Sequence, residues 1–379
     1  MENGLKKVGI LTFHASHNYG SCLQAYALQT TLKSLGVYPE IINFRTSRQK
    51  ELYAVFTKKK GIMRFLKNLT HLLYFSSFKS KHNKFECFIK DEYVLSKKEY
   101  VSLNELEEEI FDYDVFLAGS DQIWNPFPSD FDWAYYLPFV RDVPKISYAP
   151  SFGPAIRKTD DERMKSLPER VANFSHISVR EPQAKAYLES YVTKEVSVVL
   201  DPTLLLNKNE WLQLVDKTPI VKGDYIFLYT LYATPVINKI AKRLSKKWKI
   251  KVVVSNVSNQ HDAINSFKKQ FSTGPKEFLN LIYYAKFVLV TSFHGTVFSV
   301  LFEKPFFAIN GEKDNRIFNL LSITGLKDRT VNLANVQEKA NTAFQIDFSS
   351  VEKGLQKERR ISFDFLRKAL ELGTDEDDM

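Results

Sequence analysis

The feature that most constrains this fold is an alternation of short apolar runs with segments of helical apolar periodicity. The chain opens with VGILTF at 8–13, a polar loop at 14–20 and a helical pattern at 21–36, followed by PEIINF at 39–44. A strand, short loop, helix and strand in this order predict a βαβ unit with parallel strands and a right-handed crossover. The sequence therefore predicts an α/β protein built on parallel sheets.

The same alternation continues through two successive blocks. Further strands of the first block are predicted at 113–120, 146–150, 176–181 and 196–202. In the second block, strands at 224–232, 251–255, 287–292 and 305–309 alternate with helices at 235–248, 275–285, 296–303 and 315–325. Two such blocks predict two Rossmann-like open parallel-sheet domains. We expect them to face each other across a cleft, with ligands at the carboxyl ends of the strands.

The blocks set the expected domain limits, with a boundary after VLDPTLLL. Residues 1–205 are predicted to form an N-terminal Rossmann-like domain, including a helical excursion at 57–90. Residues 206–345 are predicted to form a second such domain. A helix within 346–372 is expected to return to the first domain, and the acidic tail 373–379 is expected to be disordered.

Composition and charge limit the classes of function that fit this chain. The chain has 379 residues, a formal net charge of +9 and two cysteines. No run of 18 apolar residues occurs, and the start does not resemble a signal peptide, so we expect a cytoplasmic protein. The positive charge suits an anionic partner. Because the sequence contains no nucleic-acid-binding motif, however, we do not expect the protein to bind nucleic acid. His14 and His17 alone do not predict a metal site.

The segment at 57–90 combines many lysines with Phe, Leu and Tyr, and reads as amphipathic helices. One interpretation is a solvated helical excursion that covers the sheet. The other is a surface for anionic lipid head groups or a lipid-linked acceptor, which would give peripheral contact with the inner membrane face.

Polar residues stand at the ends of two strands of the first block. Asn18 and Gly20 suit a tight turn before a helix whose N–H groups could hold an anion or a sugar hydroxyl, although an ordinary βα loop fits equally well. The loop lacks GxGxxG, which disfavours a dinucleotide. Ser120 and Asp121 could cap the following turn or bind a sugar, and Trp124 could stack on a sugar ring or fill the core.

Arginine and histidine stand at two further strand ends. Arg180 could form a bidentate interaction with a phosphate or carboxylate, or a salt bridge to Glu181 or a neighbour. The pair Asp201-Pro202 mainly indicates a turn. In SFHGT, Ser292 could cap a helix and Gly295 could admit a ligand close to the backbone, while His294 could act as a general acid or be structural.

Six segments taken together resemble the polysaccharide pyruvyl transferase family. In chain order they are ILTFHASHNYGSCLQAYALQ, FDYDVFLAGSDQIWNP, ISYAPSFG, SVRE, VLDPTLLL and VTSFHGTVFSVLFEKPF. Each motif is weak alone, whereas six in series cover nearly the whole chain. The chain is therefore identified as a member of this family.

The resemblance implies a fold and a reaction. The fold is similar to the GT-B arrangement of two Rossmann-like domains, with the last helix packing back on the first. The family moves a pyruvyl group from phosphoenolpyruvate onto a sugar, releases phosphate and usually forms a cyclic ketal. Phosphoenolpyruvate is then a co-substrate, and neither a cofactor nor a metal is expected.

The resemblance also assigns roles, with the first domain on the acceptor side and the second on the donor side. It makes His294 the general acid and Arg180 a clamp on the donor. We expect donor contacts from Arg180, Ser292, Phe293, Gly295, Thr296 and Arg316, and acceptor contacts from Asn18, Tyr19, Gly20, Gln24, Ser120, Asp121 and Trp124. Some members carry an arginine where this chain has Ser292, so Arg316 or a lysine is expected to supply the missing cation.

These expectations describe a transferase that modifies a sugar of a bacterial capsular or exopolysaccharide repeat unit, with a lipid-linked oligosaccharide as one form of the acceptor. Two alternatives stay open. One is a GT-B-type glycosyltransferase that uses a nucleotide sugar. The other is a non-catalytic carbohydrate-binding protein.

Overall fold

The computed structural model describes residues 4–55, 74–231, 233–255 and 266–373. The first half of the segment at 57–90 and nearly all of the acidic tail lie outside the described residues.

Internal contacts divide the chain into two compact units. Unit 1 takes its described residues from Met1–Thr57, Ile89–Leu206 and Gln356–Met379, and unit 2 from Lys58–Phe88 and Asn207–Leu355. The main passage from unit 1 to unit 2 lies between Leu206 and Asn207, directly after VLDPTLLL.

Unit 1 is built on a parallel sheet. Its strands are β1 (Lys7–Leu11), β2 (Tyr38–Phe44), β3 (Leu95–Tyr100), β4 (Val115–Asp121), β5 (Lys145–Pro150), β6 (Ile177–Val179) and β7 (Val196–Val198). Five of them form a sheet in the order β3-β2-β1-β4-β5, and β6 pairs with β7 in parallel. A single bridge between Ile146 and His176 continues the parallel arrangement from β5 towards β6.

Helices cover this sheet. They are α1 (Tyr19–Ser34), α2 (Ser47–Tyr53), the last turn of α3 (Phe75–Glu92), α4 (Leu103–Glu107), α5 (Glu162–Lys165), α6 (Leu167–Val171) and α7 (Pro182–Glu189), with 3₁₀ turns at Trp133–Tyr136, Gly153–Arg157 and Pro202–Leu204. The Asn18 side chain accepts a hydrogen bond from the Gly20 amide and caps α1. Because this cap precedes Tyr19, the helix begins two residues before the predicted start.

Unit 2 contains the second parallel sheet. Its strands are β8 (Tyr225–Tyr229), β9 (Lys251–Val254), β10 (Lys268–Lys269), β11 (Phe287–Val290), β12 (Phe306–Ile309) and β13 (Thr330–Val331), in the order β10-β9-β8-β11-β12-β13. The helices are α8 (Lys208–Leu212), α9 (Pro235–Trp248), α10 (Pro275–Tyr283), α11 (Phe293–Leu301), α12 (Asn315–Ile323), α13 (Val336–Lys339) and the first part of α14 (Ser349–Ala369), with 3₁₀ turns at Gly311–Lys313 and Lys327–Arg329.

Local sequence explains helix α9 well. Thr234 caps its first turn by accepting from the Ile237 amide, and Pro235 occupies the first helical position, where its missing N–H costs nothing. Ile240 and Leu244 lie on its buried face. Lys249 ends the helix in the left-handed conformation with φ 57°. The bounds are those predicted from the apolar periodicity.

Two assignments differ from the sequence-based expectation. The described part of the excursion, residues 74–88, groups with unit 2 and not with the first domain. The reason is packing: the Phe78 ring stacks on Phe271 at 6.1 Å, and the Lys84 ammonium lies 2.7 Å from the Glu277 carboxylate.

The return of the last helix to the first domain also begins later than expected. Helix α14 belongs to unit 2 up to Leu355, and its continuation from Gln356 belongs to unit 1. There the Ser362 hydroxyl accepts a hydrogen bond of 2.9 Å from the Leu200 amide, and the Arg359 guanidinium donates to the Leu204 carbonyl.

Among the described residues, no helix combines the length and the apolar character needed to cross a bilayer.

Candidate functional site

Polar side chains of unit 1 form a buried network at the carboxyl edge of its sheet. One guanidinium nitrogen of Arg180, Nη2, lies 2.8 Å from Asp201 Oδ2 and donates a hydrogen bond of 2.6 Å to Ser120 Oγ. The Arg180 and Asp201 side chains are 4% and 0% exposed. Ser120 Oγ in turn donates to the Ala149 carbonyl at 2.7 Å. The network therefore ties the last residues of β4 and β5 to the segments that follow β6 and β7.

Gln24 extends this network to β1. Its amide nitrogen donates 2.9 Å hydrogen bonds to Thr12 Oγ1 and to the Ser21 carbonyl, and its oxygen accepts from the Ser120 amide. Ser21 donates through its hydroxyl to Asp121 Oδ2. Gln24 and Ser120, two predicted acceptor residues, thus act in the structure as buried links between α1 and β4.

Backbone conformation at this edge is unusual. Gly119 has φ 141°, Asp121 has φ 65° and Ala149 has φ 49°. A Cβ on Gly119 would lie 2.0 Å from the Tyr148 carbonyl oxygen, so no other residue fits without movement of the backbone. Non-glycine residues in the left-handed region are uncommon, and they cluster where function or tight packing over-determines the chain.

Trp124 occupies the core of unit 1. Its ring is fully buried, stacks on Tyr136 at 5.4 Å and meets the edge of Phe174 at 5.5 Å. The interpretation in which Trp124 fills the core is therefore the one that its burial supports. A sugar could stack on this ring only after the surrounding aromatic rings had moved.

The start of α1 is also enclosed. Tyr19 and Gly20 are buried, and Asn18 caps the helix with its side chain. His14, in the preceding loop, is buried with its Nε2 3.1 Å from Asn43 Oδ1. Burial lowers the pKa of His14 to about 4, although the hydrogen bond to Asn43 acts in the opposite direction. This imidazole is consequently neutral at neutral pH.

A helix N-terminus that carries a histidine lies at the carboxyl edge of the second sheet. After β11, Ser292 takes the extended conformation of an N-cap with φ −114°, and α11 begins at Phe293. The Ser292 side chain makes no capping hydrogen bond. His294 stands at the second helical position, in the turn whose backbone N–H groups carry the partial positive charge of the helix dipole. This arrangement suits an anion with an imidazole beside it.

Gly295 and Thr296 serve the helix itself. A Cβ on Gly295 would approach the Tyr229 ring and Val290 at 2.9 Å, so glycine is needed for close helix–sheet packing. The Thr296 hydroxyl donates to the Ser292 carbonyl at 3.0 Å. Both residues therefore have structural explanations in addition to the predicted contact with the donor.

Arg316 is held beside the start of α11 by a carboxylate. Its Nε and Nη2 donate to Asp314 Oδ1 and Oδ2 at 3.0 and 2.7 Å. Its guanidinium carbon lies 5.8 Å from the centroid of the Phe293 ring, which lies 5.1 Å from the ring of His294. Phe293 is thus the common neighbour of a guanidinium and an imidazole.

Asp314 has two functions at this position. It caps α12 by accepting from the Arg316 amide, and it pairs with the Arg316 guanidinium. Burial alone would raise the pKa of Asp314, but the charge and hydrogen bonds of Arg316 outweigh burial, and the pKa is lowered. Asp314 is not among the predicted site residues, although an aspartate one residue before a helical pattern is a recognised capping signal.

The structure therefore gathers the predicted residues into two groups. The residues from Asn18 to Arg180 belong to unit 1, and those from Ser292 to Arg316 belong to unit 2. The convergence of His294 and Arg180 on one donor stays a prediction.

Unit 2 also contains a cavity of about 520 Å³. It lies between the segment 213–220, the residues after β10 and the start of α10, with Lys84 from α3 on one side. Asn280 fixes the first of these walls by donating to the carbonyls of Asp216 and Thr218 at 3.0 Å. None of the predicted site residues lines this cavity.

The fold and the polar strand ends define an α/β protein with two Rossmann-like parallel-sheet domains. The sequence model of the polysaccharide pyruvyl transferase family matches residues 18–312, which is most of the chain. The chain belongs to this family of transferases that act on polysaccharides. No curated protein matches it by sequence.

Solved structures share the fold at low identity. A putative UDP-N-acetylglucosamine 2-epimerase from Listeria monocytogenes matches with a TM-score of 0.60 and 11% identity, covering 99% of this chain and 100% of that one. S. aureus MnaA, in a co-structure with UDP, matches with a TM-score of 0.55 and 13% identity over 98% of both chains. UDP-GlcNAc 2-epimerase from Neisseria meningitidis, bound to UDP-GlcNAc, gives 0.54 and 11% over 96% and 100%.

Proposed function

We propose that this protein transfers a pyruvyl group from phosphoenolpyruvate to a sugar of a capsular or exopolysaccharide repeat unit and forms a ketal. The observation that carries the proposal is the group at the start of α11, where Phe293 contacts both the His294 imidazole and the Arg316 guanidinium. A helix N-terminus and an arginine together suit a phosphorylated carboxylic acid. An imidazole at the same place provides the proton donor that the reaction needs.

The chemistry balances with the groups present. His294 protonates the terminal methylene carbon of phosphoenolpyruvate, which makes a methyl group and leaves C2 as an oxocarbenium-like electrophile. One sugar hydroxyl oxygen bonds to C2 and the bond from C2 to the phosphate oxygen breaks. A second hydroxyl then bonds to C2 and closes the ketal. Of the two hydroxyl protons, one restores His294 and the other leaves with hydrogen phosphate.

Arg316 has a specific part in this proposal. This chain has Ser292 at a position where some members of the family carry an arginine, and the Arg316 guanidinium lies against the adjacent Phe293 ring. Arg316 would supply the positive charge that holds the phosphate or the carboxylate of the donor. Asp314 would keep that guanidinium in place.

The acceptor would be recognised by unit 1. Asp121 and the start of α1 offer a carboxylate and a polar loop at a strand edge, where α/β sheets bind ligands. The acceptor would be a soluble glycan or an oligosaccharide on a polyprenyl carrier at the inner leaflet, with the enzyme in the cytoplasm. Nucleic acid has no place in this proposal.

The test is a donor and acceptor assay. Purified protein is incubated with phosphoenolpyruvate and a panel of bacterial glycans, and phosphate release and glycan mass are measured together. We expect phosphate release that depends on the acceptor and a matching mass gain of one pyruvyl ketal. Phosphate release without any glycan product, or no release with any glycan of the source organism, would contradict the proposal.

A nucleotide-sugar enzyme is the second candidate. It is favoured by the solved structures of the same fold whose titles name UDP or UDP-GlcNAc. Calorimetric titration with UDP-GlcNAc and with phosphoenolpyruvate separates the two: the second candidate requires the nucleotide sugar to bind and to be consumed. A protein that binds glycan but consumes neither donor would be the non-catalytic carbohydrate-binding protein.

A further inference from the structure

Helix α9 of unit 2 has one strongly cationic face. Lys239, Lys242 and Lys246 are exposed and lie within an arc of about 60° around the helix axis. Arg243 and Lys247 widen the arc to about 140°. The helix Pro235–Trp248 contains no acidic residue, and its apolar face is buried against the sheet. The outward face therefore carries positive charge along its whole length.

The neighbourhood of this face does not neutralise it. Within the described residues, no ion pair engages Lys239, Lys242 or Lys246. Arg243 donates to the Leu333 carbonyl at 3.1 Å and Lys247 to the Gln337 carbonyl at 3.4 Å, and both acceptors are uncharged. The adjoining helix α13 adds one exposed acid, Glu338, together with Lys339. A clear positive excess remains.

Two exposed apolar side chains lie near the start of this helix. Val236, the second helical residue, is 44% exposed and stands three residues before Lys239, on the same side of the helix. Leu231, four residues before the helix, is 38% exposed. Lysines flanked by exposed aliphatic side chains suit the boundary between lipid head groups and acyl chains. The backbone of a nucleic acid or the hydroxyls of a glycan would gain little from Val236 and Leu231.

We propose that this face of α9, made of Lys239, Lys242, Lys246 and Val236, docks the protein on an anionic phospholipid bilayer. None of these residues lines the cavity of unit 2, so the face suits an extended charged surface better than a small anion. Each lysine near such a surface increases membrane partition about fivefold. This docking is independent of the proposed reaction, because no group assigned to donor or acceptor lies on α9.

The experiment is vesicle flotation of the full chain. Vesicles contain phosphatidylcholine with about one third phosphatidylglycerol, and pure phosphatidylcholine vesicles are the uncharged comparison. The test variant replaces Lys239, Lys242 and Lys246 with Gln. The control replaces Lys33, Lys353 and Lys357 with Gln, which are exposed lysines on α1 and α14. Both variants lose the same charge, and all six sites tolerate glutamine in a helix.

We expect the wild type to float with anionic vesicles only. The α9 variant should lose about a hundredfold in partition coefficient, whereas the control loses about threefold or less. Val236→Ser should lose a further few-fold, and raising the salt to about 1 M should release the wild type. Turnover on a soluble acceptor should be unchanged in the α9 variant, so a failure of docking is distinguishable from a failure of the reaction.

Three outcomes overturn the proposal. The first is equal loss in the α9 variant and the control, which would mean that net charge alone matters. The second is undiminished flotation of the α9 variant. The third is binding of the wild type to duplex DNA or to an anionic polysaccharide, but not to vesicles, with that binding lost in the α9 variant.

Discussion

The carboxyl edges of the two sheets both carry an arginine paired with an aspartate, but in different surroundings. At the first edge the Arg180 and Asp201 side chains are 4% and 0% exposed, and the pair joins a network that runs through Ser120. At the second edge the Arg316 and Asp314 side chains are 14% and 30% exposed and lie beside an aromatic ring and an imidazole.

This difference shows how to separate a structural arginine from a ligand-binding one. Both follow a strand, so position alone does not distinguish them. A fully buried pair already satisfies its charges within the fold, and removing one member leaves an uncompensated charge. A partly exposed pair at a helix N-terminus keeps positive potential available to an anion. From this comparison we expect the first edge to act as a rigid frame and the second to be the place for the proposed donor chemistry.

The variant with the largest expected effect tests the residues at the second edge. His294→Asn removes the proposed general acid and should lower turnover about 10²- to 10⁴-fold while leaving the unfolding free energy nearly unchanged. The measurement is phosphate release with saturating phosphoenolpyruvate and acceptor. The control is His176→Asn, a half-buried histidine beside β6 of unit 1. Wild-type turnover in the His294→Asn variant would show that the second edge does not supply the general acid.

The next prediction tests the first edge. Arg180→Met leaves Asp201 buried without its cation and should cost about 3–5 kcal/mol of unfolding free energy, measured with urea. The double variant Arg180→Met with Asp201→Leu removes both charges and should cost less than either single change.

The same experiment can also show that Arg180 binds the donor and is not only structural. If Arg180→Met leaves the unfolding free energy unchanged but raises the KM for phosphoenolpyruvate, Arg180 acts on the donor, as the family resemblance implies. In that case the two edges would share the donor and the first edge would not be only a frame.

The contrast between the edges also shows what the sequence could reveal. The βαβ order and helix α9 followed directly from apolar periodicity and capping residues, because these signals are local. The strand that precedes Arg180 was visible too. The partner of Arg180 was not, because Asp201 reaches it only through the parallel pairing of β6 with β7, which brings Val179 beside Val198.

Other differences have local causes. Helix α11 begins at Phe293 and not at the predicted Thr296, since an extended Ser292 directly precedes it and FHG is already helical. The apolar pattern is interrupted by a polar histidine there, so periodicity alone placed the start too late. Trp124 allowed two interpretations in sequence, and only the neighbouring rings of Tyr136 and Phe174 distinguish them.

A third prediction uses the buried histidine of the first edge. The pKa of His14 is lowered to about 4 by burial, against about 6.5 in an unfolded chain. Between these values the unfolded state binds the proton and the folded state does not, so stability falls as the pH falls from about 6.5 to about 4. The loss from about pH 7 to about pH 5 should be about 2 kcal/mol.

Urea unfolding at both pH values measures this loss. The His14→Gln variant removes the titrating group and keeps an amide that can bond to Asn43. Its unfolding free energy should therefore depend less on pH than that of the wild type, whatever its absolute value. An equal pH dependence in both proteins would show that His14 is accessible to protons in the folded state, and that the first edge is not a rigid frame.

The smallest effect concerns how the second edge positions its cation. Asp314→Ser keeps an oxygen that can cap α12 but removes the carboxylate that holds Arg316. We expect the KM for phosphoenolpyruvate to rise about tenfold with little change in kcat, because the guanidinium must then be ordered by the donor itself. Asp328→Ser is the matched control, since Asp328 pairs with Arg329 in the same unit and away from Phe293. A fall in kcat at constant KM would instead mean that Arg316 contacts the donor mainly in the transition state. An unchanged KM and kcat would mean that the second edge, like the first, uses its arginine for structure, and His294 alone would then distinguish the two edges.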